Sequence, residues 1–204
     1  MPDFVLERDL GGIVCGIDEV GRGPWAGPVV AAAVVLDPGR MPDAVLAALD
    51  DSKKVPAERR VVLAREIRAH ALVGIGAASA REIDRINVLR ATFVAMARAL
   101  ARLPCRPDAV LVDGNQAPPL GCRVVTVVGG DGRSLSIAAA SIVAKVVRDA
   151  LMVRLASRHP GYGWETNVGY GTEAHRDALA RFGTTVHHRR SFAPISHILS
   201  LMTR

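Results

Sequence analysis

Residues 13–36 read IVCGIDEVGRGPWAGPVVAAAVVL. Residues 13–18 are rich in β-branched side chains (Ile13, Val14, Ile17) and read as a strand that runs into a glycine-rich turn. The apolar run at 28–36, with Val29, Val30, Val34 and Val35, reads as a second strand buried on both faces. A hairpin between the two follows, and Asp37-Pro38-Gly39 ends it with turn residues. An antiparallel pair opening the chain sets the frame for what comes after.

Helical and extended patterns alternate downstream. Residues 56–71 predict a helix with Val61, Leu63 and Ile67 facing inward and Glu58, Arg59 and Arg65 facing out. Residues 72–78 form a strand of small residues. Residues 81–103 carry one or two helices, with Ile83, Ile86, Leu89, Phe93, Met96 and Leu100 at helical spacing. Residues 109–113 predict a strand ending in Asp113-Gly114, and residues 123–128 one ending in Gly129-Gly130-Asp131-Gly132. Residues 134–157 predict a long helix, small-residue-rich in its first half. Residues 172–182 predict another, with Thr172 as N-cap and Glu173 in the first turn. Early strands pair antiparallel, and helical crossovers add parallel ones. The expected fold is α/β: a central mixed five-stranded sheet flanked by helices, with a helical C-terminal part, in one domain spanning 1–204. No linker or repeat interrupts it.

The composition fits a globular chain. Of 204 residues, half are apolar, 23% are charged and only 4% are aromatic, so the core is built from Ala, Val, Leu and Ile. The net charge of +6 suits a polyanion partner but equally a basic solvated surface. Cys15, Cys105 and Cys122 have no zinc-type spacing and read as reduced thiols. Asp3, Glu7, Arg8 and Asp9 precede any apolar run, unlike a secretory signal, and the longest such run, 29–36, is too short to cross a bilayer. A cytoplasmic location is expected.

The acids carry the chemistry. Asp18 and Glu19 end the first strand, Asp113 ends the 109–113 strand, and Asp131 follows the 123–128 strand. The Asp18-Glu19 pair, Asp113 and Asp131 are each followed by a glycine within two residues, where the backbone can turn sharply. Taken singly, these are ordinary turn pieces. Together, if the strand ends converge, they bring four carboxyls to one place. Like charges raise one another's pKa, and Mg²⁺ or Mn²⁺, which take oxygen ligands, would resolve the conflict. Alternation sends Asp18 and Glu19 to opposite faces. Both reach one site only if the strand stops there, or if Glu19 contributes its carbonyl.

Residues 16–29, GIDEVGRGPWAGPV, resemble the signature of the ribonuclease HII family. Further segments agree in order: Asp51-Ser52-Lys53-Lys54, Asn87-Val88-Leu89-Arg90-Ala91-Thr92, Val112-Asp113-Gly114-Asn115, the stretch 137–149, Gly169-Tyr170-Gly171-Thr172 and His188-Arg189-Arg190-Ser191-Phe192. The resemblance implies a ribonuclease H-like fold and an acidic quartet at Asp18, Glu19, Asp113 and Asp131 that works with two Mg²⁺ or Mn²⁺ ions. Asp149, in the long helix, is the rival for the fourth place and is expected to pair with a nearby Arg or cap local structure instead. The resemblance also implies cleavage of RNA in RNA/DNA hybrids and on the 5′ side of single ribonucleotides in duplex DNA, leaving 3′-hydroxyl and 5′-phosphate ends. The expected roles are ribonucleotide and RNA-primer removal in DNA replication and repair.

In the family, Gly21-Arg22-Gly23 reads the 2′-hydroxyl that separates RNA from DNA, and Tyr170 stacks on the neighbouring sugar. Lys53, Lys54, Lys145, Arg189 and Arg190 are candidates for phosphate contact. His187 and His188 read as structural or phosphate-facing. Trp25 replaces a commonly aliphatic residue and is expected to pack at the turn. The chain is expected to be a monomer.

Rival readings fail locally. The 21–27 turn leads into a strand rather than a helix, so it is no dinucleotide loop. Ser141 and Lys145 are one residue too far apart for a Ser-x-x-Lys pair. A binding module without catalysis has no use for convergent acids. A DNA-only nuclease of the same fold has none for a 2′-hydroxyl sensor.

Overall fold

At the centre of the molecule lies β1 (Val14–Val20), hydrogen-bonded on both edges. The computed structural model describes residues 1–202. A short helix α1 (Val5–Leu10) precedes β1, and β2 (Val29–Val35), α2 (Asp43–Leu46), α3 (Ala57–His70), β3 (Leu72–Ala78), α4 (Ala80–Ile86) and α5 (Val88–Leu100) follow it. Then come β4 (Ala109–Asp113), β5 (Arg123–Val127), a 3₁₀ turn (Gly130–Gly132), α6 (Leu135–Arg158), α7 (Trp164–Asn167), α8 (Glu173–Phe182) and α9 (Ala193–Met202).

The sheet order is β3-β2-β1-β4-β5. β1 runs antiparallel to β2, and β2 to β3, while β4 and β5 join parallel. This is the mixed five-stranded sheet that the sequence predicts. α6 and α3 cover one face over an alanine-rich core of Ala138, Ala139, Ala140 and Ala144 with Leu63 and Ile67. α5 covers the other through Ala91, Ala95 and Ala99. Small side chains let these helices lie close to the sheet. At Gly16 the approach is closest, since a Cβ there would collide with the backbone of Ser136 and Ile137 at the start of α6.

Two details differ from the sequence reading, and the open choice between one helix and two at 81–103 is settled as two. β1 continues to Val20 instead of stopping at Asp18. On α3, Val61 is 58% exposed and the inward face is Leu63, Ala64 and Ile67. Val61 and Leu63 are two positions apart, roughly 200° around a helix, so they cannot share a face. The 81–103 stretch splits at Asn87, whose φ of 65° breaks the helix and whose side chain caps α5 by accepting from Arg90 N at 3.1 Å.

The C-terminal part is helical. The second half of α6 packs with α7, α8 and α9 around Trp164, Met152, Leu179 and Ile195. The turn after β1 is stitched into it: Trp25 N donates to Gly169 O at 2.8 Å, Gly27 N to His187 O at 2.9 Å and Arg189 N to Trp25 O at 2.8 Å. Replacing Gly16 with Ala forces α6 off β1 and should cost about 3 kcal/mol or more. Urea unfolding measures it, and an unchanged midpoint would contradict this packing.

Candidate active site

Strand register brings the acids together. β1 and β4 are parallel with Ile17 opposite Val112, so the next residues, Asp18 and Asp113, lie side by side. Both side chains face α6, because Val14 and Leu111, an even number of positions back on each strand, pack on Ile137 of that helix. Asp113 Oδ1 accepts from Gly130 N at 2.7 Å. That bond holds the 3₁₀ turn, and Asp131 within it, against the end of β4.

Asp18 is 6% exposed. Its Oδ1 accepts from Glu19 N at 2.7 Å, and Ser141 on α6 lies nearby, its hydroxyl donating to Ser52 Oγ at 2.8 Å. No Lys or Arg pairs with it among the described residues. Burial, and then the charges of Glu19 and Asp113, hold its carboxyl well above the usual carboxylate range. Glu19 is also raised, by burial first and by Asp113, against the pull of Arg22, whose Nη1 lies 3.4 Å from Glu19 Oε1. Asp131 is raised by burial and by Asp51 and Asp113, with Lys53 opposing.

Because β1 extends through Val20, Glu19 points to the α5 side of the sheet. There it lines a small cavity of about 50 Å³ with Arg22, Thr92, Phe93, Met96 and Asp113. The four predicted acids are therefore electrostatic neighbours on two sides of one sheet edge. Among the described residues, no three acid, imidazole or thiolate groups already surround one point as ligands. The donor set still fits a hard divalent cation: carboxylate oxygens, partly desolvated, with no cation paired to Asp18 or Asp113 among the described residues. A larger cavity of about 550 Å³, lined in part by Cys105 and Cys122, opens near the start of β4, at the other end of that strand from the acids.

The turn after β1 is held by two arginines with no exposed surface, Arg148 and Arg189. Arg189 donates to Gly27 O at 3.0 and 2.9 Å, to Arg22 O at 2.8 Å and to Gly21 O. Arg148 donates to Pro28 O at 3.1 Å, Val168 O at 3.0 Å and Ala26 O at 3.3 Å. Burial, with Arg148's charge adding, pushes Arg189 down to about 9, so it stays protonated at neutral pH. Gly21, at φ 92°, is where Arg148 lies against the backbone, leaving no room for a side chain.

This corrects the expectation for Arg189. It is a buried clamp on the loop, with its donors spent on carbonyls, and no phosphate reaches it. Lys145 is likewise engaged: its Nζ lies 2.9 Å from Asp149 Oδ1. Asp149 thus pairs with a lysine one turn away rather than with an arginine, and stands apart from the quartet. Lys53 and Lys54 are exposed, with Lys54 Nζ 3.4 Å from Asp50 Oδ1. Arg190 is exposed as well. Tyr170 is 48% exposed, and its ring stands 3.5 Å from where a Cβ on Gly23 would lie. Trp25 lies so close to Gly171 that a side chain there would collide with its ring, and His188 is buried.

Sequence reasoning missed Asp51, whose charge helps raise Asp131, although Asp51 opens a segment noted for its lysines. It missed Ser141, whose hydroxyl lies 2.8 Å from that of Ser52. A serine in the middle of the apolar half of α6 was the available signal. It also missed Arg148.

The ribonuclease HII family profile matches residues 15–195. A curated ribonuclease HII from Paramagnetospirillum magneticum (strain ATCC 700264 / AMB-1) is 61% identical over 199 residues, covering 98% of this chain and 99% of the relative. Ribonuclease H2 from Pyrococcus horikoshii OT3 shares the fold with a TM-score of 0.77 at 23% identity, over 94% of this chain and 99% of that one. Bst ribonuclease HIII in complex with Mn²⁺ does so with a TM-score of 0.76 at 23% identity, over 98% of this chain and 74% of that one.

Asp18→Asn keeps the acceptor for Glu19 N but removes a buried, unpaired charge. In metal-free buffer it should stabilise the fold by about 1–2 kcal/mol. Calorimetry that finds a lower melting temperature would contradict the electrostatic account of the site.

Proposed function

The chain belongs to the ribonuclease HII family and is a ribonuclease H, and on that premise we propose that it cuts RNA strands, and single ribonucleotides, embedded in duplex DNA. Cleavage falls on the 5′ side of the ribonucleotide and leaves a 3′-hydroxyl and a 5′-phosphate. The observation that carries this reading is the register of Ile17 against Val112, which brings the next residues, Asp18 and Asp113, side by side at adjacent strand ends; the turn that follows β1 carries Gly23, beside a half-exposed tyrosine.

Mg²⁺ or Mn²⁺, two per site with substrate bound, supplies charge neutralisation, an activated water and stabilisation of the leaving oxygen. Mn²⁺ is the ion in complex with the fold neighbour ribonuclease HIII. Asp18 and Asp113 are the direct ligands in this reading, and Glu19 and Asp131 ligate or orient water. Glu19 N holds the Asp18 carboxylate, with Ser141 beside it on the α6 side of the sheet. Arg189 and Arg148 hold the turn so that the backbone of Gly21, Arg22 and Gly23 meets the 2′-hydroxyl, a group that is both donor and acceptor. Tyr170 stacks on the adjacent sugar. Lys53 and Lys54, exposed beside the acidic edge, meet the phosphates.

The substrate is RNA/DNA hybrid or ribonucleotide-containing duplex DNA, bound by a chain of net charge +6. No described helix is long and apolar enough to cross a membrane. We take residues 1–204 as one catalytic domain, monomeric and cytoplasmic, that serves ribonucleotide and primer removal in DNA replication and repair.

A DNA duplex carrying one ribonucleotide should be nicked at that position with Mg²⁺ or Mn²⁺. EDTA should stop the reaction, and an all-DNA duplex should stay intact. Asp113→Asn keeps the acceptor for Gly130 N and should lower turnover by about 10³-fold or more with the fold intact. Cleavage of both duplexes alike, or wild-type turnover by Asp113→Asn, would defeat the proposal.

A further inference from the structure

Behind Tyr170 lies a sealed cluster of rings that takes no part in the proposed chemistry. Tyr162, Trp164, His175 and His188 are all buried. Tyr162 stacks on Trp164 with centroids 5.1 Å apart, and His188 lies 5.3 Å from Trp164 by the same measure. Two imidazoles inside an apolar box need a reason, because each buried nitrogen requires a partner.

The partners leave one tautomer for each ring. Thr185 N–H donates to His188 Nδ1 at 2.9 Å, so that nitrogen carries no proton and the neutral ring is protonated at Nε2. His188 Nε2 lies 3.0 Å from His175 Nε2. Trp164 Nε1–H donates to the same His175 nitrogen at 3.2 Å, so it accepts, and the His175 proton sits on Nδ1. That nitrogen is 2.8 Å from the carbonyl oxygen of Tyr170. Donation therefore runs one way, from the Thr185 amide through His188 and His175 to Tyr170. Burial keeps both rings below the ordinary histidine range, His188 at about 3, so both are neutral at physiological pH.

The far end of this chain of bonds matters. Thr185 and His188 belong to the segment that also carries Arg189, the clamp on Gly21 and Arg22, and His187, whose carbonyl accepts from Gly27 N. One short segment thus grips the Gly-Arg-Gly turn directly and Tyr170 through two histidines. Thr172 N also donates to the Tyr170 carbonyl at 2.9 Å, but that bond is local and moves with the loop. The histidine pair ties the loop to a distant part of the chain.

We propose that His175 and His188 are positioning residues for substrate recognition: they fix the Tyr170 carbonyl, and with it the stance of the tyrosine ring against Gly23. The inference rests on the reading that Tyr170 contacts the sugar.

The test is steady-state cleavage of the single-ribonucleotide duplex by His188→Asn and His188→Gln, each in wild-type and Tyr170→Ala backgrounds. Asn keeps the acceptor for Thr185 N–H but loses donation to His175, while the Gln amide reaches the place of Nε2 and keeps it. Asn should raise KM about 10-fold with kcat within about 2-fold, and Gln should recover to within about 3-fold of wild type. In the Tyr170→Ala background the two should match their parent. Equal losses for Asn and Gln, or losses that persist without the tyrosine, would overturn the relay and leave the histidines as packing. A Tyr170→Ala enzyme with wild-type KM would instead sink the reading of the tyrosine, and the relay with it. Nitrogen-15 NMR of the wild-type imidazoles needs no variant: it should show neutral His175 protonated at Nδ1 and neutral His188 at Nε2, and the opposite tautomers would refute the relay.

Discussion

The parallel register of β1 against β4 is the constraint on which the rest of the site depends. With Ile17 opposite Val112, Asp18 and Asp113 come side by side on the face covered by α6. A slip of one residue would turn either carboxylate to the other face. The register is held from both sides. β2 pairs along β1 from Gly16 to Val20, and Gly16 admits the start of α6 so closely that no other residue fits. The Asp113 carboxylate then reaches across to Gly130 and draws the Asp131 turn to the same edge. A sheet that twists and pairs for ordinary reasons thereby concentrates negative charge at one end. Burial first, and then the neighbouring carboxylates, raise the pKa of Asp18, Glu19 and Asp131.

A second constraint stands beside it. The turn after β1 has little side-chain mass of its own, and seven donor contacts from Arg148 and Arg189 hold its carbonyls and that of Val168. Guanidinium groups suit this task because a rigid fork of donors satisfies several carbonyls at once. Without a carboxylate partner they also leave positive charge behind the loop. The result is a rigid backbone surface at Gly21 to Gly23 flanked by the exposed ring of Tyr170, next to an edge of acids. Rigid loops presented by a packed scaffold are where recognition is built.

Much of this was readable in the sequence. Four of the strands follow from apolar, mostly β-branched runs with turn residues after them, the 72–78 strand from a run of small residues, and Asp18, Asp113 and Asp131 stood out because each closes or follows a strand. What escaped reading depended on three-dimensional burial. Arg189 in a basic segment reads as a phosphate ligand, because arginines are seldom buried, and only the fold shows its donors turned inward. Lys145 and Asp149 are spaced to pair along a helix, yet each was weighed separately. Glu19 was expected beside Asp18 if the strand stopped early; it runs two residues further, and alternation sends Glu19 to the α5 side. α1 and α9 were not foreseen: α1 is a single short turn or two, and α9 owes its place to packing on Trp164 and Leu179 more than to a strong pattern of its own.

The central claim is that the acids gathered by the β1–β4 register form a divalent-cation site. Calorimetric titration of Mn²⁺ into the substrate-free protein tests it most directly, with Asp18→Asn and Asp113→Asn titrated beside it. The account predicts saturable binding that either substitution weakens by about 10-fold or more. Binding of equal strength in all three proteins would place the ion elsewhere and contradict the account.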